Sequence, residues 1–249
     1  MRTTFHPGHL GTRLAVHRMG AGRPFLLLHG LFSSAEVNWI KYGTAQRLVD
    51  AGFEVIMPDL RAHGASEAPQ DPAFWPHDVL VHDLTALVTG LGLTDYDLGG
   101  FSLGARTVVR GVLAGLAPRR LVLGGMGIEG LTGWARRSAH FLGVIDRFGT
   151  IQRGEKGYFE QAFMKTMGVD PVAMRLLLQS VDDTPPEALS GITMETLVVC
   201  GAEDQDNGSA PRLAEVLPLA TYAEVPGTHM SCVTRKELGE AIAAFLRIG

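Results

Sequence analysis

Residues 96–116 read YDLGGFSLGARTVVRGVLAGL and contain a change of secondary structure around a single serine. Residues 96–101 read as a short strand, and residues 103–116 carry apolar side chains at helical spacing. Between the two lies GFSLG, with Ser102 at its centre. A serine on a sharp strand-to-helix turn needs glycines two residues to either side, because neighbouring backbones approach there without room for Cβ atoms. The stretch therefore predicts a nucleophilic serine at the carboxyl edge of a sheet.

Short apolar runs alternate with helical patterns on both sides of this turn. The other predicted strands are residues 25–28, 53–57, 120–125, 196–201 and 221–225. Helical patterns fall near residues 38–51, 80–91, 209–217 and 238–246. A run that is apolar throughout, such as FLLL at 25–28, is typical of a strand buried on both faces. The alternation predicts an α/β fold with a mostly parallel sheet flanked by helices.

Residues 127–190 interrupt this alternation and are rich in aromatic residues and methionines. At residues 170–171 the pair Asp-Pro is typical of a helix start, because aspartate caps free N–H groups and proline suits the first turn. We expect a helical lid over residues 127–190. The core domain is then formed by residues 1–126 and 191–249.

The composition favours a small-molecule partner. The chain of 249 residues is 46% hydrophobic and has a formal net charge of −4, with its basic residues scattered. This charge distribution predicts neither nucleic-acid binding nor association with an anionic membrane. Residues 1–8 lack the apolar run of a secretory signal, so we expect a cytoplasmic location. Two cysteines, Cys200 and Cys232, are too few for a disulfide framework, and nothing in the sequence indicates an oligomeric state.

The best candidate for the base that activates Ser102 is His229. A serine hydroxyl is a poor nucleophile at neutral pH, and histidine is the side chain whose ordinary pKa suits it to take the proton. His229 follows the last predicted strand in the sequence PGTH at 226–229, at the edge of the sheet where the serine turn also opens. The other eight histidines lie in segments where a surface or packing role is expected.

A carboxylate is needed to orient the imidazole, and Asp204 in the sequence GAED after the penultimate strand fits best. Its neighbours Glu203 and Asp206 are alternatives. A loop rich in acidic residues is also often simply solvated, with no catalytic role. Glu129, after the strand that ends near residue 125, is a weaker alternative.

The candidate oxyanion donors are two backbone N–H groups, which such sites hold in place before charge develops. One is the amide of Leu103, next to the nucleophile. The other is the amide of Leu31, in the sequence HGLF at 29–32 after the first apolar strand. We expect His29 to hold this loop by hydrogen bonds, and Gly30 to supply a backbone conformation that other residues resist.

Five segments together resemble the α/β-hydrolase superfamily: HGLF at 29–32, DLRAHGAS at 59–66, GFSLG at 100–104, GAED at 201–204 and GTH at 227–229. The resemblance spans residues 12–126 and 191–249 and is similar to small bacterial esterases and the cofactor-free haloperoxidase or perhydrolase group. It implies the α/β-hydrolase fold, with a small helical lid inserted after the sixth strand. It also implies a triad of Ser102, Asp204 and His229, while the residues at 59–66 are structural. The proline often found shortly after the acid is missing, which leaves Asp204 and Asp206 both open.

The function expected from this pattern is hydrolysis of a carboxylic ester of a small to medium, largely apolar substrate through an acyl-enzyme on Ser102. No cofactor or metal is required, and no metal-ligand spacing is present. Related epoxide hydrolases and haloalkane dehalogenases carry aspartate at the nucleophile position, and dienelactone hydrolases carry cysteine. A carbon–carbon bond hydrolase with the same triad and a non-catalytic ligand-binding homologue are the alternatives. The expected substrate-binding residues are Phe32, Phe101, Met126 and Trp134.

Overall fold

Eight strands form one sheet in the computed structural model, which describes residues 1–247. The strands are β1 (Arg2–Pro7), β2 (Arg13–Met19), β3 (Arg23–Leu28), β4 (Phe53–Pro58), β5 (Asp97–Phe101), β6 (Arg120–Gly124), β7 (Glu195–Gly201) and β8 (Ala220–Val225). The helices are α1 (Thr44–Asp50), α2 (Val79–Gly90), α3 (Leu103–Leu113), α4 (Ile128–Thr132), α5 (Trp134–Asp146), α6 (Tyr158–Met167), α7 (Pro171–Ser180), α8 (Ala210–Val216) and α9 (Lys236–Arg247). The spatial order of the strands is β1-β2-β4-β3-β5-β6-β7-β8.

The predicted mostly parallel sheet is confirmed. Strands β3 to β8 pair in parallel, whereas β1 pairs with β2 and β2 pairs with β4 antiparallel. Alternate residues of the apolar run in β3 enter two different cores: Leu26 and Leu28 pack on one face of the sheet, and Phe25 and Leu27 on the other. A continuous apolar run is needed in β3 because both of its faces are covered.

Two parts of the fold differ from the sequence prediction. Strands β1 and β2 were not predicted, because RTTFHP and RLAVHRM mix polar and apolar residues and β1 is an edge strand that is largely exposed. The helix predicted near 38–51 is wrong as a single element. It consists of one π-helical turn, Glu36–Ile40, and the separate helix α1. The two are divided at Gly43, whose φ of 81° no continuous helix contains.

Helices α4 to α7 lie between β6, the sixth strand, and β7. The helix start predicted at Asp170-Pro171 is confirmed, since the Asp170 carboxylate accepts hydrogen bonds from the amides of Val172 and Ala173. Met164 and Met174 are fully buried in the core rather than free to line a cavity. Phe159 on α6 is 83% exposed, which leaves an aromatic ring at the surface of this inserted segment.

Two arginines of α3 tie the inserted segment to the core. Arg106 donates hydrogen bonds to the carbonyl oxygens of Gly130 and Asp182, and Arg110 donates to the carbonyl oxygen of Asp183 at 2.6 Å. Burial lowers the pKa of Arg106 to about 10, so this guanidinium stays charged at neutral pH. Hydrogen bonds from a charged donor are about twice as strong as neutral ones. Both ends of the insert are therefore held against the helix that begins next to Ser102.

Cys200 and Cys232 are free and buried, as expected for thiols without a disulfide framework. Burial raises the pKa of both thiols to about 12, which keeps them protonated and unreactive. None of the helices in residues 1–247 combines the length and apolar character that crossing a membrane requires.

The turn from β5 into α3 depends on the glycines predicted there. A Cβ atom on Gly100 would lie 2.3 Å from the carbonyl carbon of Gly104, and one on Gly104 would lie 2.5 Å from the carbonyl oxygen of Leu28. These neighbours are backbone atoms and cannot rotate away. The first turn of α3 therefore packs directly on the end of β3, and only glycine allows this approach.

We predict that Gly104→Ala lowers the free energy of unfolding by about 2 kcal/mol or more, because overpacking against backbone forces the helix to shift. The matched control is Gly143→Ala. Gly143 is also a helical glycine, in α5, but apart from its chain neighbours and its own helix backbone no atom lies within 4 Å of a Cβ placed there. This control should be more stable than the wild type by about 0.5–1 kcal/mol. Urea denaturation measures both changes, and equal stabilities for the two variants would contradict the packing argument.

Candidate active site

Ser102 occupies a strained backbone conformation between β5 and α3. Its φ of 53° and ψ of −112° are unusual for a residue with a side chain and cost on the order of 1–3 kcal/mol. The Ser102 amide donates a hydrogen bond to the carbonyl oxygen of Gly124 at 2.8 Å, and its own carbonyl accepts from the amide of Arg106. These two contacts hold the sharp turn, and Ser102 lies in the wall of a cavity.

His229 and Asp204 form a buried pair next to this turn. The distance between His229 Nδ1 and Asp204 Oδ2 is 2.8 Å. Because the carboxylate only accepts, Nδ1 carries the proton and Nε2 is left to accept one. The ring of Phe101, next to the serine, lies against the imidazole with 4.9 Å between ring centroids. The structure thus brings the loops after β5, β7 and β8 together at the carboxyl edge of the sheet.

The alternative acids have other contacts. Asp206 donates its backbone amide to Asp204 Oδ1 at 3.0 Å, which fixes the carboxylate that faces the histidine. Glu129 accepts a hydrogen bond from the amide of Ser209 at 2.8 Å and lies 3.9 Å from Arg212. Of the acids considered from the sequence, Asp204 is the one whose side chain contacts His229.

The loop that carries Leu31 is held by two buried histidines. His29 Nε2 accepts a hydrogen bond from the amide of Leu60 at 2.9 Å, in line with the structural role expected for it. His63 Nε2 accepts from the amide of Phe32 at 3.0 Å. The expectation for Gly30 is wrong. Phe32, with φ of 60°, is the residue with a left-handed backbone, and its bond to His63 holds it there.

This arrangement leaves two amides available as oxyanion donors. Within residues 1–247, neither Leu31 nor Leu103 donates its amide to a protein acceptor. The amide of Phe32 is used by His63, so it does not compete with Leu31 for this role. Leu103 is the first residue of α3, where the helix leaves its N–H groups free.

An open cavity of about 640 Å³ lies above these groups. Phe32, Phe101, Met126 and Trp134, all predicted from the sequence, line it together with Ser102 and His229. The Trp134 indole donates to the carbonyl oxygen of Leu178, which fixes the ring in the wall. Charged and polar side chains complete the lining, among them Arg106, Arg136, Arg137, His140, Glu160, Asp206 and Asn207.

Two residues near the candidate site were missed by sequence reasoning. His63 was read only as part of a structural segment, and its partner Phe32 is 31 positions away in the chain. Asn207 is buried, and its side chain reaches Ser102. The one available signal for Asn207 was its position three residues after Asp204, on a loop at the carboxyl edge. No three histidine, cysteine or acidic side chains of residues 1–247 gather closely enough to hold a metal ion.

Comparisons with known proteins agree with the fold. A sequence model described as the alpha/beta hydrolase fold matches residues 23–120. An epoxide hydrolase from Caballeronia sordidicola is 33% identical over 95 residues, which are 38% of this chain and 28% of that protein. A 2-hydroxymuconate semialdehyde hydrolase from Pseudomonas sp. (strain CF600) is 31% identical over 128 residues, 49% of this chain and 42% of that protein. An esterase from Exiguobacterium antarcticum matches in structure with a TM-score of 0.80, at 21% identity, over 99% of this chain and 100% of that one.

The architecture is that of the α/β-hydrolase fold. Residues 23–120 are similar in sequence to the α/β-hydrolases, and the fold of the chain is similar to those of an esterase and a bromoperoxidase. The matched stretch spans about a third of the length of the first curated relatives, and the structural likeness at 21% identity shows the fold. One fold serves many reactions, so the reaction depends on the site rather than on the fold.

We predict that His63 makes the stability of the folded chain depend on pH. Burial lowers the pKa of His63 to about 3, against 6.5 in the unfolded chain, so between these values only the unfolded state binds a proton there. Stability at this site is complete above pH 6.5 and falls as the pH is lowered. Glutamine can accept from the amide of Phe32 without titrating. His63→Gln should therefore lose about 2 kcal/mol less stability than the wild type between pH 7 and pH 5 in urea denaturation. An equal loss in both proteins would refute the assignment.

Proposed function

We propose that the chain is a serine hydrolase that cleaves a carboxylic ester of a small to medium, largely apolar substrate through an acyl-enzyme on Ser102. The observation that carries the proposal is the 2.8 Å pair of His229 and Asp204 beside a serine on a strained turn. A base that is itself oriented by a carboxylate, next to a serine in a cavity wall, is the arrangement that nucleophilic acyl transfer needs.

The proposed reaction has two halves. His229 Nε2 takes the proton from Ser102 Oγ as this oxygen bonds to the ester carbonyl carbon. The amides of Leu31 and Leu103 donate to the oxyanion, and the alcohol leaves with the proton from His229. Water then attacks the acyl-enzyme, gives its proton to His229, and the acid is released as Ser102 regains that proton. Asp204 stays ionised and stabilises the imidazolium in both halves.

We also propose that the chain divides into a core and a lid, and the cavity lining supports this division. Residues 1–126 and 191–249 form the hydrolase core, and residues 127–190 form a lid that contributes Trp134, Phe141 and Phe163 to the cavity wall. Apolar walls with a few polar groups are typical of sites for small molecules. We accordingly propose a small-molecule ester as substrate. The proposed reaction needs no cofactor. We propose a cytoplasmic location separately from the cavity.

A second candidate reaction is hydrolysis of a carbon–carbon bond next to a carbonyl. It is favoured by the similarity to the 2-hydroxymuconate semialdehyde hydrolase, over 49% of this chain. The same serine, histidine and aspartate would serve both reactions. Cleavage by an aspartate nucleophile, as expected for the related epoxide hydrolases, does not apply because position 102 is serine.

We predict that Ser102→Ala lowers the rate of hydrolysis of p-nitrophenyl butyrate by at least about 10⁴-fold, because the nucleophile is lost. Circular dichroism and the thermal midpoint establish that the variant is folded. A panel of p-nitrophenyl esters from acetate to decanoate, run with the wild type, measures the preferred acyl length. Turnover by Ser102→Ala at the wild-type rate would exclude the acyl-enzyme.

A fluorophosphonate separates the candidate functions. Rapid modification of the wild type at Ser102, with ester turnover, supports the proposal. Rapid modification without turnover of any ester, but with turnover of a vinylogous keto acid, favours the second candidate. An unreactive Ser102 indicates a non-catalytic binding protein.

We predict that Asp204→Asn lowers kcat by about 10⁴-fold, since asparagine holds the imidazole in the wrong tautomer. Asp206→Asn and Glu129→Gln should each change kcat far less, because neither carboxylate contacts His229. Steady-state kinetics on p-nitrophenyl butyrate compares the three variants. A loss in Asp206→Asn as large as that in Asp204→Asn would move the acid to the neighbouring residue.

A further inference from the structure

Asn207 carries a buried carboxamide on the loop between β7 and α8, and it contacts the candidate nucleophile. Asn207 Nδ2 lies 2.7 Å from the carbonyl oxygen of Gly125 and 3.4 Å from Ser102 Oγ. The residue is 5% exposed and lines the cavity. One carboxamide thus joins the end of β6 to the serine hydroxyl.

The orientation of this carboxamide is determined by its neighbour. A backbone carbonyl oxygen can only accept a hydrogen bond, so the Asn207 atom next to Gly125 must be the nitrogen. An amide nitrogen has two hydrogens. One serves the carbonyl of Gly125, and the other is available to Ser102 Oγ. The group that faces the nucleophile is therefore a donor.

The backbone around Asn207 is held on both sides. Its carbonyl oxygen accepts a hydrogen bond from the amide of Gly130 at 2.8 Å. A Cβ on Gly130 would lie 2.7 Å from Asn207 Cβ, so the start of α4 packs directly on this side chain. On either side, the amide of Asp206 donates to Asp204, and that of Ser209 to Glu129. Asp204 and Asn207 thus lie on one loop, which these hydrogen bonds hold in place.

The resting serine contacts Asn207 rather than the base. Within residues 1–247, no hydrogen bond joins Ser102 Oγ to His229, whereas Asn207 Nδ2 is at 3.4 Å. Hydrogen bonds at a reacting atom are often long before substrate binds and shorten as charge develops. A donor to Oγ favours the state in which this oxygen carries negative charge.

We propose that Asn207 is a further donor to the nucleophile, which holds Ser102 Oγ at rest and stabilises the charge on this oxygen when the acyl-enzyme forms and when it breaks down. The proposal rests on the proposed serine hydrolase function. No proton is transferred to or from Asn207: the proton of Ser102 passes to His229, and the carboxamide keeps both of its hydrogens. Asn207 thereby acts on the serine oxygen, whereas Leu31 and Leu103 act on the carbonyl oxygen of the substrate.

The first test compares Asn207→Leu with Gln205→Leu. Leucine has the same number and branching of side-chain heavy atoms as asparagine, and it has no donor. Gln205 lies on the same loop, is exposed, and does not line the cavity, so its replacement makes the same chemical change away from the site. The second-order rate constant for labelling of Ser102 by a fluorophosphonate should fall about tenfold in Asn207→Leu and stay within twofold of wild type in Gln205→Leu. Labelling of Asn207→Leu at the wild-type rate would overturn the proposal.

The second test uses Asn207→Asp and separates a donor from a packing role. A protonated carboxyl can donate to Ser102 Oγ, but an ionised one cannot and adds a negative charge beside it. The ratio of the labelling rates of Asn207→Asp and the wild type should therefore fall at least about tenfold between pH 5 and pH 8. A ratio that is constant over this range overturns the proposal, even if Asn207→Leu is slow because it folds poorly. Failure of the proposed function is distinct, because the wild type itself would then either not be labelled or be labelled without turning over any ester.

Discussion

The close approach of α3 to the end of β3 is the constraint on which the site depends. At Gly104 the helix lies against the carbonyl oxygens of Leu28 and His29, at distances that leave no space for a side-chain carbon. Leu103 is the first residue of α3, and the loop that carries Leu31 follows β3 directly. One contact between two backbones therefore sets the separation of both candidate oxyanion donors.

The strain at Ser102 is balanced by hydrogen bonds from neighbouring strand ends. Its amide is bound by Gly124 at the end of β6, and its side chain by Asn207, which is itself bound to Gly125. A residue remains in a rarely populated conformation only where its surroundings determine it. The parallel sheet supplies these surroundings because its strands end at a common edge, where loops distant in sequence can share hydrogen bonds.

Local patterns in the sequence were enough to predict the inner sheet, the serine turn and the start of α7 at Asp170. Each of these features depends on residues that lie close in sequence to the position concerned. The antiparallel strands β1 and β2 were missed because a largely exposed edge strand needs no apolar run. The left-handed conformation was expected at Gly30 but occurs at Phe32, because it depends on a hydrogen bond that the amide of Phe32 donates to a histidine 31 residues away. The contacts of Asn207 could not be predicted from local patterns either, because its partners, Ser102 and Gly125, lie in the turns that follow β5 and β6.

The inserted segment has two unequal parts. Its ends are fastened to α3 by Arg106 and Arg110, whereas α6 presents Phe159, mostly exposed, and Phe163 to the cavity. The hydrogen bonds at Ser102 come from the strand ends and the acid loop, not from α6. Substitutions along α6 can therefore reshape what the cavity admits while the geometry at the serine is unchanged. In a lineage of such proteins, or in a library of designed variants, substrate range can change independently of the catalytic rate, because the two depend on separate stretches of the chain.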